Sequence, residues 1–396
     1  MTEEISKPIN NDNDWYEDES EEEQEEYPID QYDLTASPND FNVSTIFNFI
    51  ESGAVKIPGF QRHYVWDIKR ASKLIESLII GLPVPQIFLY EEDKNRFLVI
   101  DGQQRLMSIY YFIKQRFPRK DKRPELRRIF EEHGKIPDDV LHNDKYFSNF
   151  NLSLPENLPI QPNRFTGMNY STLGEYKTSF DLRTIRNVIV KQILPKEDDS
   201  AIYEIFNRLN SGGINLGPQE IRMSLYHSEF LEMLSRVNIN NKWRRIIGIT
   251  EPDIHMKDVE IMLRGFAMLI DGDKYKPSMM KFLNGFARDT KKNAADKVSY
   301  FETLFNSFIE SCSNLSREVF VISSNRFSIT LFESIFTSVC KNPYLNNQIV
   351  AGSIDSASVA NLKNDPDFAS FIKGKTTNTK NVKGRLSKAL EIIRVV

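Results

Sequence analysis

At 396 residues the chain has room for about two or three domains, and with 40% apolar residues and 27 phenylalanines it can fill a hydrophobic core. No apolar run approaches the ~18 residues of a membrane span, because Leu78-Ile79-Ile80 is broken at Gly81, Pro83 and Pro85. The acidic N-terminus excludes a signal or transit peptide, and two cysteines, Cys312 and Cys340 in apolar helical patterns, read as small core residues of a reducing cytoplasm.

The net charge of −4 is unevenly placed. Residues 1–36 carry 14 Asp/Glu against one Lys, which leaves +9 on the rest. A block such as Glu21-Glu22-Glu23-Gln24-Glu25-Glu26 repels itself and buries nothing, so residues 1–36 are expected to form a disordered acidic tail, with order beginning near Asp40. Such a tail either solubilises the chain or mimics a nucleic acid that would otherwise bind the basic body.

Asn42 or Ser44 caps a short helix carrying Ile46, Phe47, Phe49 and Ile50, and Val55-Lys56-Ile57 reads as a strand. Ile68, Ala71, Ile75, Leu78 and Ile79 recur at helical spacing from about Asp67, and Gly81 with Pro83 stops the helix. Gln86–Tyr90 and Phe97–Ile100 are strands about a polar turn, followed by a helix with Leu106, Ile109, Phe112 and Ile113 on one face. Residues 114–128 are irregular and carry +6. Asn187–Leu194 is a further strand. From Ser200 helices are expected near 200–210, 217–236, 256–270, 278–288, 297–312, 327–340 and 381–395. The reading is α+β: an α/β domain over 37–198 and a mostly helical domain over 199–396.

Three clusters carry chemistry. In Val99-Ile100-Asp101-Gly102-Gln103-Gln104-Arg105 a buried strand ends at Asp101, Gly102 allows a tight turn, and the next helix presents N–H groups at 103–105. Those groups and the helix dipole favour an anion, and Arg105 adds a fork for phosphate oxygens. Gln103 and Gln104 can hold a ribose, a base edge or an attacking water; Asp101 can hold hydrated Mg²⁺ or a catalytic water. The plainer alternative is a strand–turn–helix in which Asp101 and Arg105 serve only each other. The second cluster, Pro58-Gly59-Phe60-Gln61-Arg62-His63-Tyr64-Val65-Trp66, offers Gln61 and Arg62 as phosphate or base contacts, and Tyr64 and Trp66 as stacking or anchoring rings. Glu76 on the following helix faces either the cleft or solvent. The third, Phe206-Asn207-Arg208-Leu209-Asn210-Ser211-Gly212-Gly213, sets Arg208 and Asn210 beside a glycine turn. Lys120, Lys122 and Arg123 in the basic stretch are the candidate DNA contacts.

In order, Ile57-Pro58-Gly59-Phe60-Gln61-Arg62-His63-Tyr64-Val65-Trp66, Leu74-Ile75-Glu76-Ser77-Leu78 with Gly81-Leu82-Pro83-Val84-Pro85, Val99–Arg105 and Phe206–Asn210 resemble the family of domain of unknown function 262, the N-terminal part of GmrSD-type restriction enzymes. The Asp-Gly-Gln-Gln-Arg turn is also similar to the phosphate-binding turn of ParB and sulfiredoxin folds. The resemblance implies a ParB-like α/β domain that binds and hydrolyses a nucleoside triphosphate with Mg²⁺, coupled to DNA restriction in anti-phage defence. Asp101, Gly102, Gln103, Gln104 and Arg105 would form its site, with Gln61 and Arg62 beside them. The chain departs from many such proteins in showing no His-Asn-His arrangement after residue 260, and it has no zinc-spaced cluster and no Walker loop. DNA cutting would then use a site not visible in the sequence or fall to a separate nuclease subunit. The alternatives are a non-enzymatic DNA-binding module and a self-contained, metal-dependent nickase.

Overall fold

The computed structural model describes residues 15–17, 33–57, 64–123, 125–126, 129, 136–155, 163–194, 205, 217–253, 255–322 and 326–396. Gln61, Arg62, Arg208 and Asn210 lie outside the described residues, as does nearly all of the expected helix at 200–210. The chain forms two compact units. Strand β1 (Tyr16–Glu17) belongs with residues from Tyr226 onward, whereas β2 (Asp33–Asn42) belongs with the residues up to Leu225.

The first of these strands in the α/β unit corrects the expectation that order begins near Asp40. Asp33–Asn42 pairs along its length with β8 (Thr184–Leu194), antiparallel, and Arg186 clamps Asp40 through two hydrogen bonds of 3.0 Å. Its sequence, Asp-Leu-Thr-Ala-Ser-Pro-Asn-Asp-Phe-Asn, shows no apolar alternation because most of the strand faces solvent at the sheet edge, where Pro38 is tolerated.

Asn42 then caps α1 (Val43–Glu51), accepting from the Thr45 N–H at 2.7 Å. After β3 (Val55–Lys56), Asp67 caps α2 (Ile68–Ile80), and Gly81 ends it with φ 87°. Strands β4 (Ile87–Asp93) and β5 (Arg96–Asp101) make a hairpin, and α3 (Gln103–Ile113) leaves it at once. The five-stranded sheet runs β2-β8-β4-β5-β3. Ala71, Ile75 and Leu78 of α2, and Leu106, Ile109 and Phe112 of α3, bury one face of that sheet's core. Beyond α3, β6 (Arg116–Pro118) pairs with β7 (Phe147–Asn149). Arg116 locks that two-stranded sheet by donating to Leu141 O, Asn149 Oδ1 and Asp144 Oδ1.

The other unit is mostly helical. Its centre is the helix Lys257–Asp271, packed on Ile329–Leu345, with Phe266 ringed by Phe230, Phe301, Phe305 and Phe336. The helix expected over 217–236 is two: Pro218–Leu225, which belongs to the α/β unit, and Glu229–Asn238, which belongs to this one and is capped by Ser228 accepting from the Leu231 N–H. Glu333, fully buried, receives Arg264 Nε at 2.5 Å and Arg385 Nε at 2.6 Å, so charge in this core is held by paired hydrogen bonds. Cys312 and Cys340 are free and buried. Among the described residues no helix is long and apolar enough to cross a membrane.

Candidate functional site

Strand β5 delivers Asp101 to its C-terminal end, and Gly102 turns the chain into α3 with φ 102°. A β-carbon at Gly102 would lie 2.9 Å from Ile87 Cγ1, so the backbone conformation and the space both require glycine. Gly102 also has no side chain with which to cap α3, so its first turn carries no N-cap side-chain hydrogen bond. Asp101 and Arg105 face each other across this turn. Arg105 Nη2 donates to Asp101 Oδ2 at 2.8 Å and to Gln86 O at 3.0 Å. The Arg105 side chain is 16% exposed and that of Asp101 43%. Arg105 Nε is buried and makes no hydrogen bond. The guanidinium is therefore fixed by one carboxylate and one carbonyl, with donor capacity left over.

Gln104 is differently engaged. Its Oε1 accepts from the Val65 N–H at 3.0 Å and the Trp66 N–H at 3.4 Å. The carbonyl of Trp66 is held in turn by Arg123 Nη2 at 2.7 Å. Arg123 lies 5.5 Å from the centre of the Tyr64 ring, and burial pulls its pKa below the usual guanidinium value. Tyr64 is buried, and its hydroxyl meets Ser108 Oγ at 2.9 Å while Ser108 Oγ donates to Gln104 O at 2.7 Å. Burial pushes the Tyr64 phenol far above its ordinary pKa, outweighing the Ser108 hydrogen bond and the Arg123 charge. One network thus joins the turn, the 64–66 segment and the basic stretch.

The sequence-predicted residues separate on this geometry. Asp101, Gly102, Gln103, Gln104 and Arg105 stand together by construction of the turn. Tyr64 anchors the loop from the inside and is not available to stack on a base. Trp66 is half-buried, with Arg70 4.6 Å above its ring. Glu76 accepts from Asn163 Nδ2 at 2.5 Å. Of the three candidate DNA contacts, Lys120 is exposed, Lys122 pairs with Glu125 at 3.7 Å, and Arg123 is committed to Trp66. Among the described residues no cluster of three or more His, Cys, Asp or Glu could hold a metal.

Sequence reasoning missed Asn187. It lies on β8 opposite Ile87, the residue packed against Gly102, and it is 1% exposed. Its Oδ1 is buried and makes no hydrogen bond. No sequence signal singled it out, because the strand also carries Arg186, Lys191 and Gln192; only its burial without a partner for Oδ1 does.

Residues 43–227 match the pattern of the GmrSD restriction endonuclease, N-terminal domain. An uncharacterized protein of Methanocaldococcus jannaschii is 21% identical over 228 residues, an alignment covering 44% of this chain and 39% of that protein. The chain therefore spans well under half the length of this relative. No solved structure matches the chain.

Proposed function

We propose that this chain, whose residues 43–227 match the N-terminal domain of GmrSD-type restriction endonucleases, is the nucleoside-triphosphate-binding and hydrolysing component of a DNA restriction or anti-phage system. The observation that carries the reading is the turn at Asp101–Arg105. A glycine with positive φ starts an eleven-residue helix whose N-terminus lacks a side-chain cap, and a largely buried guanidinium stands beside it with Nε unspent. Backbone N–H groups, the helix dipole and a fixed arginine suit a phosphate group.

In this reading Arg105 and the 103–105 backbone hold phosphates, with Gln61, Arg62, Arg208 and Asn210 as further nucleotide contacts. Asp101, the more exposed partner of the pair, is the one carboxylate a hydrated Mg²⁺ needs when phosphate oxygens and water supply its other ligands. The ion would supply charge neutralisation at the phosphates. Gln103 is the residue to orient an attacking water. Gln104 has its Oε1 committed to Val65 and Trp66, so its contribution is to position the loop. Of Lys120, Lys122 and Arg123, exposed Lys120 is the one offered to DNA, and cutting is left to a separate nuclease subunit.

The test is release of inorganic phosphate from a panel of nucleoside triphosphates by the purified chain with Mg²⁺. Turnover of at least one nucleotide that disappears in Arg105→Ala supports the reading. Tight DNA binding with no nucleotide bound or turned over would favour a non-enzymatic DNA-binding module. Metal-dependent nicking of plasmid without nucleotide would favour a self-contained nickase.

A further inference from the structure

The acidic N-terminal run contains an anchor. Trp15, Tyr16 and Glu17 lie along β9 (Phe327–Ser328) as a parallel strand, with Tyr16 opposite Phe327 and Glu17 opposite Ser328. The Phe327 N–H donates to Trp15 O at 2.9 Å. Trp15 Nε1 donates to Asp253 Oδ2 at 3.2 Å, and the Trp15 ring lies 6.5 Å from that of Phe327. Lys257 stands 5.2 Å from the centre of the Tyr16 ring. On its other side Phe327 bridges to Val321, so without the N-terminal segment β9 would present one open edge.

The receiving surface also has contacts of its own apart from the N-terminal segment. Phe327 is fully buried against Trp243, Phe320 and Phe332. Asp253 Oδ1 accepts from the N–H groups of His255 and Lys257, which fixes its other oxygen toward Trp15. We propose that Trp15-Tyr16-Glu17 is a separable docking motif, and that β9 with Asp253 and Lys257 is a strand-addition site for a peptide carrying an aromatic pair, filled by this chain's own N-terminal segment. Main-chain pairing supplies the fit, while the indole-to-carboxylate bond and the ammonium over Tyr16 select an aromatic pair. Residues 18–32 hold eight Asp or Glu and no Lys or Arg.

The experiment is amide hydrogen exchange by NMR on the full chain. Trp15→Ala should accelerate exchange of the Phe327 amide at least tenfold and leave that of Leu269, inside the buried helix Lys257–Asp271, unchanged. A wild-type peptide of residues 11–22 added in trans to the Trp15→Ala chain should restore protection, and the same peptide carrying Trp15→Ala should not. Should Trp15→Ala accelerate Leu269 too, Trp15→Phe, which removes the bond to Asp253 and keeps an aromatic ring, is read by the same criterion. The proposal is overturned if Phe327 exchange ignores both variants, if the wild-type peptide fails to restore protection at millimolar concentration, or if the two peptides act alike.

Discussion

Gln104 holds the backbone of Val65, its Oε1 accepting the Val65 N–H at 3.0 Å. A side chain in the first turn of α3 thereby fixes the segment that follows Gln61 and Arg62 in sequence, and Arg123 grips the same segment from its carbonyl side. Gln104→Ala should free the Val65 and Trp66 amides. Val65 is exposed, so water replaces the lost acceptor and the cost should stay near ~1 kcal/mol. The account predicts faster exchange of the Val65 amide with a nearly unchanged melting temperature. An unchanged Val65 amide would show that the bond does not hold the loop.

Asp101→Asn keeps an acceptor for Arg105 and removes the negative charge. If Asp101 positions Mg²⁺ or water, turnover should fall by at least ~100-fold while nucleotide affinity changes by no more than ~3-fold. Equal losses of turnover and affinity would mean that Asp101 only shapes the turn.

Alkaline pH should weaken the α/β unit through its buried phenols. Burial pushes both Tyr64 and Tyr111 far above the ordinary tyrosine value. Below about pH 10 these phenols are neutral in both states; above it the unfolded chain ionises and the folded one does not. Stability is therefore fully present below about pH 10 and is lost as pH rises beyond it. Tyr111→Phe should flatten the fall in urea-unfolding free energy between about pH 10 and 11, by up to roughly 1.4 kcal/mol per pH unit. An unchanged slope would contradict the assignment.

Removing residues 1–36 should lower the melting temperature, whereas a disordered tail would leave it unmoved. The deletion takes away Trp15–Glu17 and four residues of β2, Asp33 to Ala36, which pair with Leu194, Gln192, Lys191 and Val190. Removing residues 1–14 alone keeps both pairings and should lower melting less. Equal melting of both truncated chains and the full chain would contradict the pairing.

Much of the fold was legible because local chemistry and burial agree. Asn42, Asp67 and Gly81 are cap residues that sequence rules find, and the apolar stripes of α2 and α3 face the core as their spacing requires. Strand β2 was not legible, since an edge strand facing solvent has no hydrophobic alternation to betray it. The turn at Asp101–Arg105 was legible as a strand–glycine–helix junction. Which partner each side chain would take was not. The charge of Arg123 reads as a nucleic-acid contact in sequence, yet its position under Tyr64 and against the Trp66 carbonyl depends on chain segments 57 residues apart. Asn187 and Arg105 share the same difficulty, because an unspent buried atom is a property of the packed molecule.

The central claim is that the turn at Gly102 holds a nucleotide through Arg105. Calorimetric titration of a nucleoside triphosphate with Mg²⁺ into the chain, in the absence of DNA, tests it most directly when repeated on Arg105→Ala. Losing a charge-assisted contact worth on the order of 1.5–3 kcal/mol should weaken binding by ~10-fold or more. Melting should drop only modestly, through loss of the bonds to Asp101 and Gln86. Binding of equal strength in both proteins, or no binding by the wild-type chain to any nucleotide tested, would contradict the account.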